Sequence, residues 1–243
     1  MSGKGRRMKR IGLLGGMSWE STAEYYRLIN TAVAQRLGGL HSADLVMVSV
    51  DFAVIEQMQA SGRWDEAGAL LAREAARLES AGAALIALCT NTMHKVAPMI
   101  EAAVSVPLLH LADSTAGAVI GANIARAGLL GTAFTMEQDF YRGRLEAAGL
   151  QVLIPDEAGR AEVHRIIYDE LCHGVVRAES RQRYLDIIAD LVAAGADGII
   201  LGCTEIELLL PPDAADLSPV PLFPTSRIHA LAAVELALAD TAR

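Results

Sequence analysis

This sequence has few lysines and no basic cluster beyond its first ten residues. Lys4 and Lys9 lie in the basic start MSGKGRRMKR, which leaves Lys95 as the only lysine in the rest of the 243 residues. With a formal net charge of −8, the chain lacks the basic track that binding to nucleic-acid phosphates requires. We therefore expect no nucleic-acid partner, and any acidic ligand must be held by local contacts.

Long apolar runs and paired cysteines are also missing. No stretch approaches the ~18 apolar residues of a membrane helix, and the apolar run after the basic start, IGLLGGM, is too short for a signal peptide. The three cysteines, Cys89, Cys172 and Cys203, form no CxxC pair, which argues against a disulfide framework or a zinc site. These absences predict a cytoplasmic protein without a membrane partner.

The chain does contain an internal duplication. RIGLLG from Arg10 matches RAGLLG from Arg126, AGAALIAL from Ala81 matches AGADGIIL from Ala194, and VPLLHLADS matches VPLFPTSRI. A fourth pair, YYRL and FYRGRL, keeps the same order, and all four pairs are separated by 113 to 116 residues. Nearly constant spacing of this kind indicates two copies of one structural unit.

Each copy alternates short apolar runs with amphipathic segments. The runs predict strands in IGLLGG, LVMVSVDF, ALIALCTN and VPLLHLAD of the first copy, and in GLLGTA, VLIP, GIILGCT and VPLFPT of the second. Helical spacing follows in AEYYRLINTAVAQRL, RWDEAGALLAREAARLESA, AEVHRIIYDELCHGV and SRQRYLDIIADLVAAG. This alternation predicts parallel sheets with helices on both faces.

We therefore predict an α/β fold of two pseudo-symmetric domains. Residues 1–110 plus 225–243 form the N-terminal half and residues 111–224 the C-terminal half, because the proline-rich stretch Pro211–Pro224 marks a crossover. Ligands bind beyond the carboxyl ends of such strands. Two strand ends should then meet in one cleft between the halves, unless the duplication is purely structural.

The segment LCTNTMH ends a predicted strand with a cysteine followed by a threonine. Eight residues separate Gly82 from Thr90, and eight also separate Gly195 from Cys203, so an alignment without a gap places Thr90 opposite Cys203. Aligning the two Cys-Thr pairs instead would need an insertion within a strand, which turns its side chains to the other face. We expect Cys89 to be a small buried hydrophobic residue.

Thr90 and Cys203, on opposing walls of the cleft, differ as proton acceptors. A thiol with a pKa of ~8.5 becomes a thiolate, more readily at a helix N-terminus, whereas a threonine hydroxyl resembles water at ~15.7. This gap of about seven units is worth roughly 10 kcal/mol. Cys203 is therefore the candidate base, and Thr90 can donate or relay a proton.

Polar residues follow the same strand ends. Thr90, Asn91 and Thr92 in one copy, and Thr204 with Glu205 in the other, are expected to begin helices, whose N-terminal N–H groups attract carboxylates. These N–H groups would bind the carboxylates of an acidic ligand without a lysine.

The glycine turn in GLLGGMSWEST either binds an anion or only reverses the chain, with Ser18 as the expected N-cap. It is not the GxGxxG fingerprint, so a dinucleotide site is weakly supported. His94 could tune a neighbouring group but is more often a structural hydrogen-bonding residue. Gln59 would contact a ligand only if its segment folds over the cleft, and composition favours a solvated helix residue. Cys172 has core spacing.

Four segments, IGLLGGMSWEST, CTNTMHK, GTAFTMEQDFYRGRL and LGCTEI, resemble the aspartate/glutamate racemase family, especially its branch specific for L-aspartate and L-glutamate. The resemblance runs essentially end to end. Most members carry two cysteines, one just before Asn-Thr and one within GCT. In this sequence the first of those positions is Thr90, which agrees with the ungapped repeat.

The resemblance implies cofactor-independent racemisation of aspartate or glutamate in a homodimer, with the L-enantiomers favoured as substrates. Cys203 would remove the Cα proton of the L-enantiomer, and Thr90 or water held by it would deliver a proton from the other side. The implied substrate contacts are Met17 through its backbone, Gln59, Thr90, Asn91, Thr92, Thr204 and Glu205. Relatives can carry a lysine near LCHG, which is absent here, so the partner of the distal carboxylate is unassigned.

Three alternatives stay open from the sequence. A pyridoxal phosphate racemase needs a Schiff-base lysine, and Lys95 lacks a phosphate loop beside it. A single-cysteine decarboxylase or cis-trans isomerase of the same fold would also use Cys203. An amino-acid-binding protein without chemistry would need only hydrogen-bond donors, which leaves a thiol at a helix start unexplained.

Overall fold

The computed structural model describes residues 8–211 and 217–239. The expectations for residues 1–7 of the basic start and for part of the proline-rich stretch lie outside them. By their contacts, the described residues form two compact units. Unit 1 contains 8–89, Val96–His110 and 229–239, and unit 2 contains Thr90–Lys95 with the described part of Leu111–Ile228. None of the helices in these ranges has the length and apolar character needed to cross a membrane.

The elements alternate along the chain as a parallel α/β protein requires. The strands are β1 Ile11–Gly15, β2 Leu45–Ser49, β3 Leu85–Leu88, β4 Leu108–Leu109, β5 Arg126–Gly131, β6 Gln151–Leu153, β7 Gly198–Gly202 and β8 Leu222–Pro224. The α-helices are α1 Trp19–Leu37, α2 Phe52–Ala60, α3 Trp64–Ser80, α4 Ala97–Glu101, α5 Leu111–Gly121, α6 Ala133–Glu137, α7 Asp139–Ala147, α8 Glu157–Asp169, α9 Ala178–Ala193 and α10 Thr225–Leu238. Short 3₁₀ helices lie at Thr92–Val96, Leu171–His173 and Thr204–Leu208.

Unit 1 is built on a parallel sheet with the strand order β2-β1-β3-β4. Side chains of β1 and β3 pack against α1 and α10 on one face, where Tyr25, Val33 and Val234 belong to the same buried core. On the other face Gly12 lets α3 approach closely, since a Cβ on Gly12 would come within 3.4 Å of Leu78 Cβ. Helices on both faces explain why the central strands are almost wholly apolar.

Unit 2 repeats this plan with a parallel sheet in the order β6-β5-β7-β8. Its core joins β5 and β7 to α5, α7, α8 and α9. Gly128 of β5 matches Gly12 of β1 in the sequence repeat, and a Cβ there would come within 3.4 Å of Leu191 Cβ in α9. The same close helix approach therefore occurs at the same position of both sheets.

The strand register confirms the duplication. In unit 1, Leu14 of β1 pairs with Leu88 of β3. In unit 2, the matching pair is Leu130 of β5 and Leu201 of β7. The alignment without a gap is therefore kept up to the last residues of β3 and β7, and Cys89 corresponds to Gly202.

The turns that lead into β3 and β7 are also the same. Gly82 and Gly195 adopt φ values of +89° and +100°, a conformation that side chains other than glycine rarely accept. The backbone N–H two residues after each glycine donates to a carbonyl at the start of the neighbouring strand, that of Arg10 in unit 1 and that of Arg126 in unit 2, both at 2.8 Å. These equivalent anchors set where each strand starts.

The sequence predicts all eight strands found in the described ranges, and the structure confirms each within a few residues. The helices expected at α1, α3 and α9 are confirmed as well. The helix expected through LCHG instead ends at Asp169, and a 3₁₀ helix follows. At the break Glu170 is buried, and its carboxylate accepts hydrogen bonds from Ser180 Oγ at 2.5 Å and from Arg165 of α8 at 3.0 Å.

Candidate active site

The end of β3 separates Cys89 from Thr90. Leu85, Ala87 and Cys89 alternate along the strand and all pack in the core of unit 1, where Cys89 is 0% exposed. Burial raises the pKa of the Cys89 thiol far above its ordinary value. Cys89 is thus a buried core residue, as the ungapped alignment predicts, whereas Thr90 has its contacts in unit 2.

Asn91 is tied to the carboxyl ends of β7 and β8. Its Nδ2 donates to Thr225 Oγ1 at 3.0 Å, and Thr225 directly follows β8. Thr225 Oγ1 in turn donates to the carbonyl of Leu201 at 2.8 Å, two residues before Cys203. Asn91, Thr225 and Leu201 are buried, whereas Cys203 is partly exposed. Asn91 therefore lies at the edge of the second sheet from which Cys203 emerges.

Thr92 is tied to the neighbouring strand β5. Its hydroxyl lies 3.0 Å from the hydroxyl of Thr132, which directly follows β5 and caps α6. The Thr132 hydroxyl also lies 3.2 Å from that of Thr135. Since β5, β7 and β8 are neighbours in the sheet, the segment Thr90–Lys95 crosses the carboxyl ends of three strands of unit 2. This is the edge at which parallel sheets bind ligands.

His94 holds this segment in place. The side chain is 1% exposed. Its Nδ1 lies 2.7 Å from the carbonyl of Thr90, and its Nε2 accepts a hydrogen bond from the backbone N–H of Leu111 at 3.2 Å. The structural interpretation of His94 is thereby confirmed.

Cys203 follows β7 directly and is the N-cap of the 3₁₀ helix Thr204–Leu208. The residue is partly exposed, and its thiol donates to Glu205 Oε2 at 3.0 Å. The pKa of the Cys203 thiol is raised well above its ordinary value, first because the surrounding protein desolvates it and next because Glu205 is negative. The lowering of the pKa expected from a helix N-terminus is therefore wrong, because desolvation and the negative charge of Glu205 outweigh the effect of a 3₁₀ helix of five residues.

Met17 and Gln59 belong to unit 1. Met17 is buried in the turn between β1 and α1, just before Ser18, which is the N-cap of α1 as expected. Gln59 lies near the end of α2 and is only 5% exposed. The interpretation of Gln59 as a solvated helix residue is therefore wrong. Six of the eight predicted site residues lie in unit 2 and these two in unit 1.

Thr132 and Thr225 are site residues that the sequence reasoning missed. Each directly follows a strand of the second sheet, β5 in one case and β8 in the other. The rule that singled out Thr90 and Cys203, a polar residue after a buried strand, would have found both. What the sequence does not contain is their pairing with Thr92 and Asn91.

This arrangement can move protons. One sheet edge carries a thiol with a carboxylate beside it, and a chain segment with a hydroxyl and an amide, Thr90 and Asn91, is fixed along the same edge. The donors that Asn91 and Thr92 provide at this edge are uncharged. Among the described residues, no group of three or more His, Cys, Asp or Glu side chains could hold a metal ion.

Comparison with known proteins shows the family to which this chain belongs. The model of the Asp/Glu/Hydantoin racemase family matches residues 14–233. A candidate Asp/Glu racemase from Yersinia pestis is 54% identical, covers 95% of this chain and 100% of its own, and superimposes with a TM-score of 0.89.

Two more distant relatives agree. An aspartate racemase homologue from Pyrococcus horikoshii OT3 is 32% identical over 95% of this chain and 99% of its own, with a TM-score of 0.80. The broad specificity amino-acid racemase RacX of Bacillus subtilis (strain 168) is 26% identical over 202 residues, 82% of this chain and 87% of that protein. The two-sheet fold and the nearly full-length match place this chain in the Asp/Glu/hydantoin racemase family, and with it among the amino-acid racemases.

Proposed function

We propose that this protein interconverts the enantiomers of aspartate or glutamate without a cofactor, with Cys203 as the base for the L-enantiomer and Thr90 as the proton donor on the other side. The observation that carries the proposal is the register of the duplicated strands. It makes Thr90 the counterpart of Cys203, while the neighbouring thiol of Cys89 is in the core. The acidic substrate is inferred from the relative named as an aspartate racemase homologue.

The reaction needs one proton to leave and one to arrive. The thiolate of Cys203 forms an S–H bond with the Cα proton, and the electron pair of the broken C–H bond spreads into the substrate carboxylate. Thr90, or water that it holds, then gives its proton to the opposite face of Cα and recovers one from solvent. The Cys203 thiol finally returns its proton to water. Positioned acid–base groups of this kind typically contribute about 10² to 10⁴ in rate.

Glu205 links substrate binding to the state of the thiol. Its negative charge is one cause of the raised pKa of Cys203, so the resting thiol keeps its proton. A substrate α-ammonium group that pairs with Glu205 would cancel that charge and favour the thiolate. Asn91, Thr92 and Thr204 supply uncharged donors for the carboxylates, and Met17 and Gln59 are the remaining proposed contacts.

Thermodynamics sets how a preference for the L-enantiomer can appear. The two enantiomers have equal free energy in water, so kcat/KM for racemisation must be the same in both directions. An asymmetric pair shows itself in exchange at Cα instead. The thiolate can remove and return the proton on the L side repeatedly, whereas the D side needs an alkoxide, which costs roughly 10 kcal/mol more to form than the thiolate.

The test is a time course in D₂O with L- and D-aspartate and L- and D-glutamate, each incubated separately. We expect deuterium to enter remaining L-substrate faster than remaining D-substrate, together with slower formation of the opposite enantiomer. Equal exchange from both sides would contradict the asymmetric pair. Release of CO₂ would indicate a decarboxylase, and saturable binding without exchange would indicate a binding protein.

A further inference from the structure

His94 makes two hydrogen bonds to backbone groups on opposite sides of its ring. One nitrogen, Nε2, faces the N–H of Leu111, the first residue of α5. That N–H has no partner within its own helix and is buried, since Leu111 is 1% exposed. The other nitrogen, Nδ1, faces the carbonyl of Thr90 at 2.7 Å.

These two contacts determine the tautomer. A backbone N–H can only donate, so Nε2 must carry the lone pair that accepts it. The proton of the neutral ring is then on Nδ1, which donates to the Thr90 carbonyl. A buried ring fixed at both nitrogens cannot turn without leaving a buried polar group unpaired, at a cost of about 1–3 kcal/mol for each lost partner.

We propose that His94 is a positioning residue for the proton donor, acting on Thr90 through its carbonyl. The Nδ1–H bond closes a loop of five residues, Thr90 to His94, around the side chains of Asn91 and Thr92. Those two side chains are fixed by Thr225 and Thr132, but neither bond reaches Thr90 itself. The imidazole ties the Thr90 backbone to α5. The positioning proposal rests on the proposed function of Thr90 as donor.

The two hydrogen bonds can be removed one at a time. In His94→Asn the amide nitrogen can take the place of Nδ1 and keep the bond to Thr90, while the acceptor for Leu111 is lost. In His94→Gln the amide oxygen can take the place of Nε2 and keep the bond from Leu111, while the donor to Thr90 is lost. The pair therefore separates support of α5 from placement of Thr90.

The readout is the partition of the reaction that starts from L-aspartate and, in parallel, L-glutamate in D₂O. It compares the opposite enantiomer formed with the deuterium returned to the L-enantiomer. We expect His94→Gln to lower this ratio about tenfold, since a displacement of ~1 Å at a reacting group can cost up to 10² in rate. We expect His94→Asn to keep the wild-type ratio and to lose thermal stability instead.

A double-mutant cycle shows whether His94 acts through Thr90. In a Thr90→Ala background, where the hydroxyl is gone, His94→Gln should no longer change the ratio. His229 provides a matched structural control, because it is a fully buried histidine of unit 1 that bonds Tyr25 Oη at 2.8 Å and the Leu109 carbonyl at 2.8 Å. His229→Gln should lower the melting temperature without altering the partition.

The outcomes separate the two proposals. Suppose that the wild-type chain racemises. If His94→Gln then shows the wild-type ratio, or lowers the ratio equally in the Thr90→Ala background, the positioning proposal is overturned and the proposed function stands. If the wild type exchanges no Cα proton in any of the acids, both proposals fail. Should the glutamine variant not fold, ¹⁵N spectra of the wild-type imidazoles decide: a proton on Nδ1 of His94 supports the proposal, and one on Nε2 overturns it.

Discussion

The ends of β3 and β7 occupy the same place in duplicated sheets, yet they present different chemistry. After β3 the chain reads Cys89-Thr90, and after β7 it reads Gly202-Cys203 with the same register. The first thiol is in the core of unit 1, and the second is partly exposed and bonded to Glu205. A shift of one residue along a strand therefore decides whether a cysteine is buried in the core or partly exposed beside a carboxylate.

The two thiols also differ in why they hold their protons. For Cys89 the pKa is raised by burial, a cause that no ligand can remove. For Cys203 the charge of Glu205 adds to desolvation, and a positive group on a ligand would cancel that part. At Gly202, the counterpart of Cys89, an added Cβ would lie 2.8 Å from the Leu130 carbonyl. Both positions face inward, whereas Cys203, the residue after Gly202, is partly exposed.

The largest effect should come from removing the thiol after β7. Cys203→Ser should lower Cα deuterium exchange from the L-substrate by about 10³-fold or more, since an alcohol replaces the base, while calorimetry should still detect substrate binding. Cys172→Ser is the matched control, because Cys172 is a second partly buried thiol of the same unit, and it should keep most of the exchange. Survival of exchange in Cys203→Ser would show that another group is the base.

The second-largest effect should come from placing a thiol at both strand ends. Thr90→Cys places a thiol where the repeat has one, and exchange from D-aspartate or D-glutamate should rise about tenfold or more. Because the enantiomers are equal in free energy, racemisation should rise equally from both sides. Thr92→Cys adds a thiol two residues further on and should bring no such gain. If the D-side exchange of Thr90→Cys does not increase, Thr90 is not the counterpart of Cys203 in the reaction.

The carboxylate beside Cys203 should set the pH dependence. Because the folded protein raises the pKa of this thiol, kcat/KM for exchange from the L-substrate should keep rising into the alkaline range. Glu205→Gln removes the negative charge and should move the rise to lower pH, measured by its midpoint because the loss of a substrate contact also weakens binding. Glu207 lies on the same 3₁₀ helix as Glu205, and its carboxylate is bonded to Ser226. Glu207→Gln should leave the midpoint unchanged. A midpoint unchanged in Glu205→Gln would contradict this coupling.

Local patterns and the repeat predict much of this comparison. Apolar runs predict all eight strands, and the equal spacing from Gly82 and from Gly195 predicts that Cys89 is buried, which the structure confirms. The first prediction depends on apolar runs, and the second depends on the repeat together with side-chain alternation within a strand. They need no knowledge of what lies beside the strand.

The unpredicted features depend on contacts between distant parts of the chain. Asn91 pairs with Thr225 across 134 positions, and no local pattern announces such a partner. Gln59 reads as solvated because nothing in its own segment shows what covers that face of α2, yet it is buried. The raised pKa of Cys203 arises first from desolvation by the surrounding protein and next from the charge of Glu205, and the surroundings that desolvate the thiol cannot be read from its own segment.

The smallest effect should come from Cys89, and it sharpens the comparison because a thiol is removed there too. Cys89→Ala should leave exchange within about twofold of the wild type and lower the free energy of unfolding by about 1 kcal/mol, as removal of a small buried group does. Urea unfolding measures the second quantity, and alkylation of the folded protein should find no fewer reactive thiols. A loss of exchange approaching that of Cys203→Ser would mean that residue 89 reaches the substrate, and strand parity could then no longer assign Thr90 as the partner of Cys203.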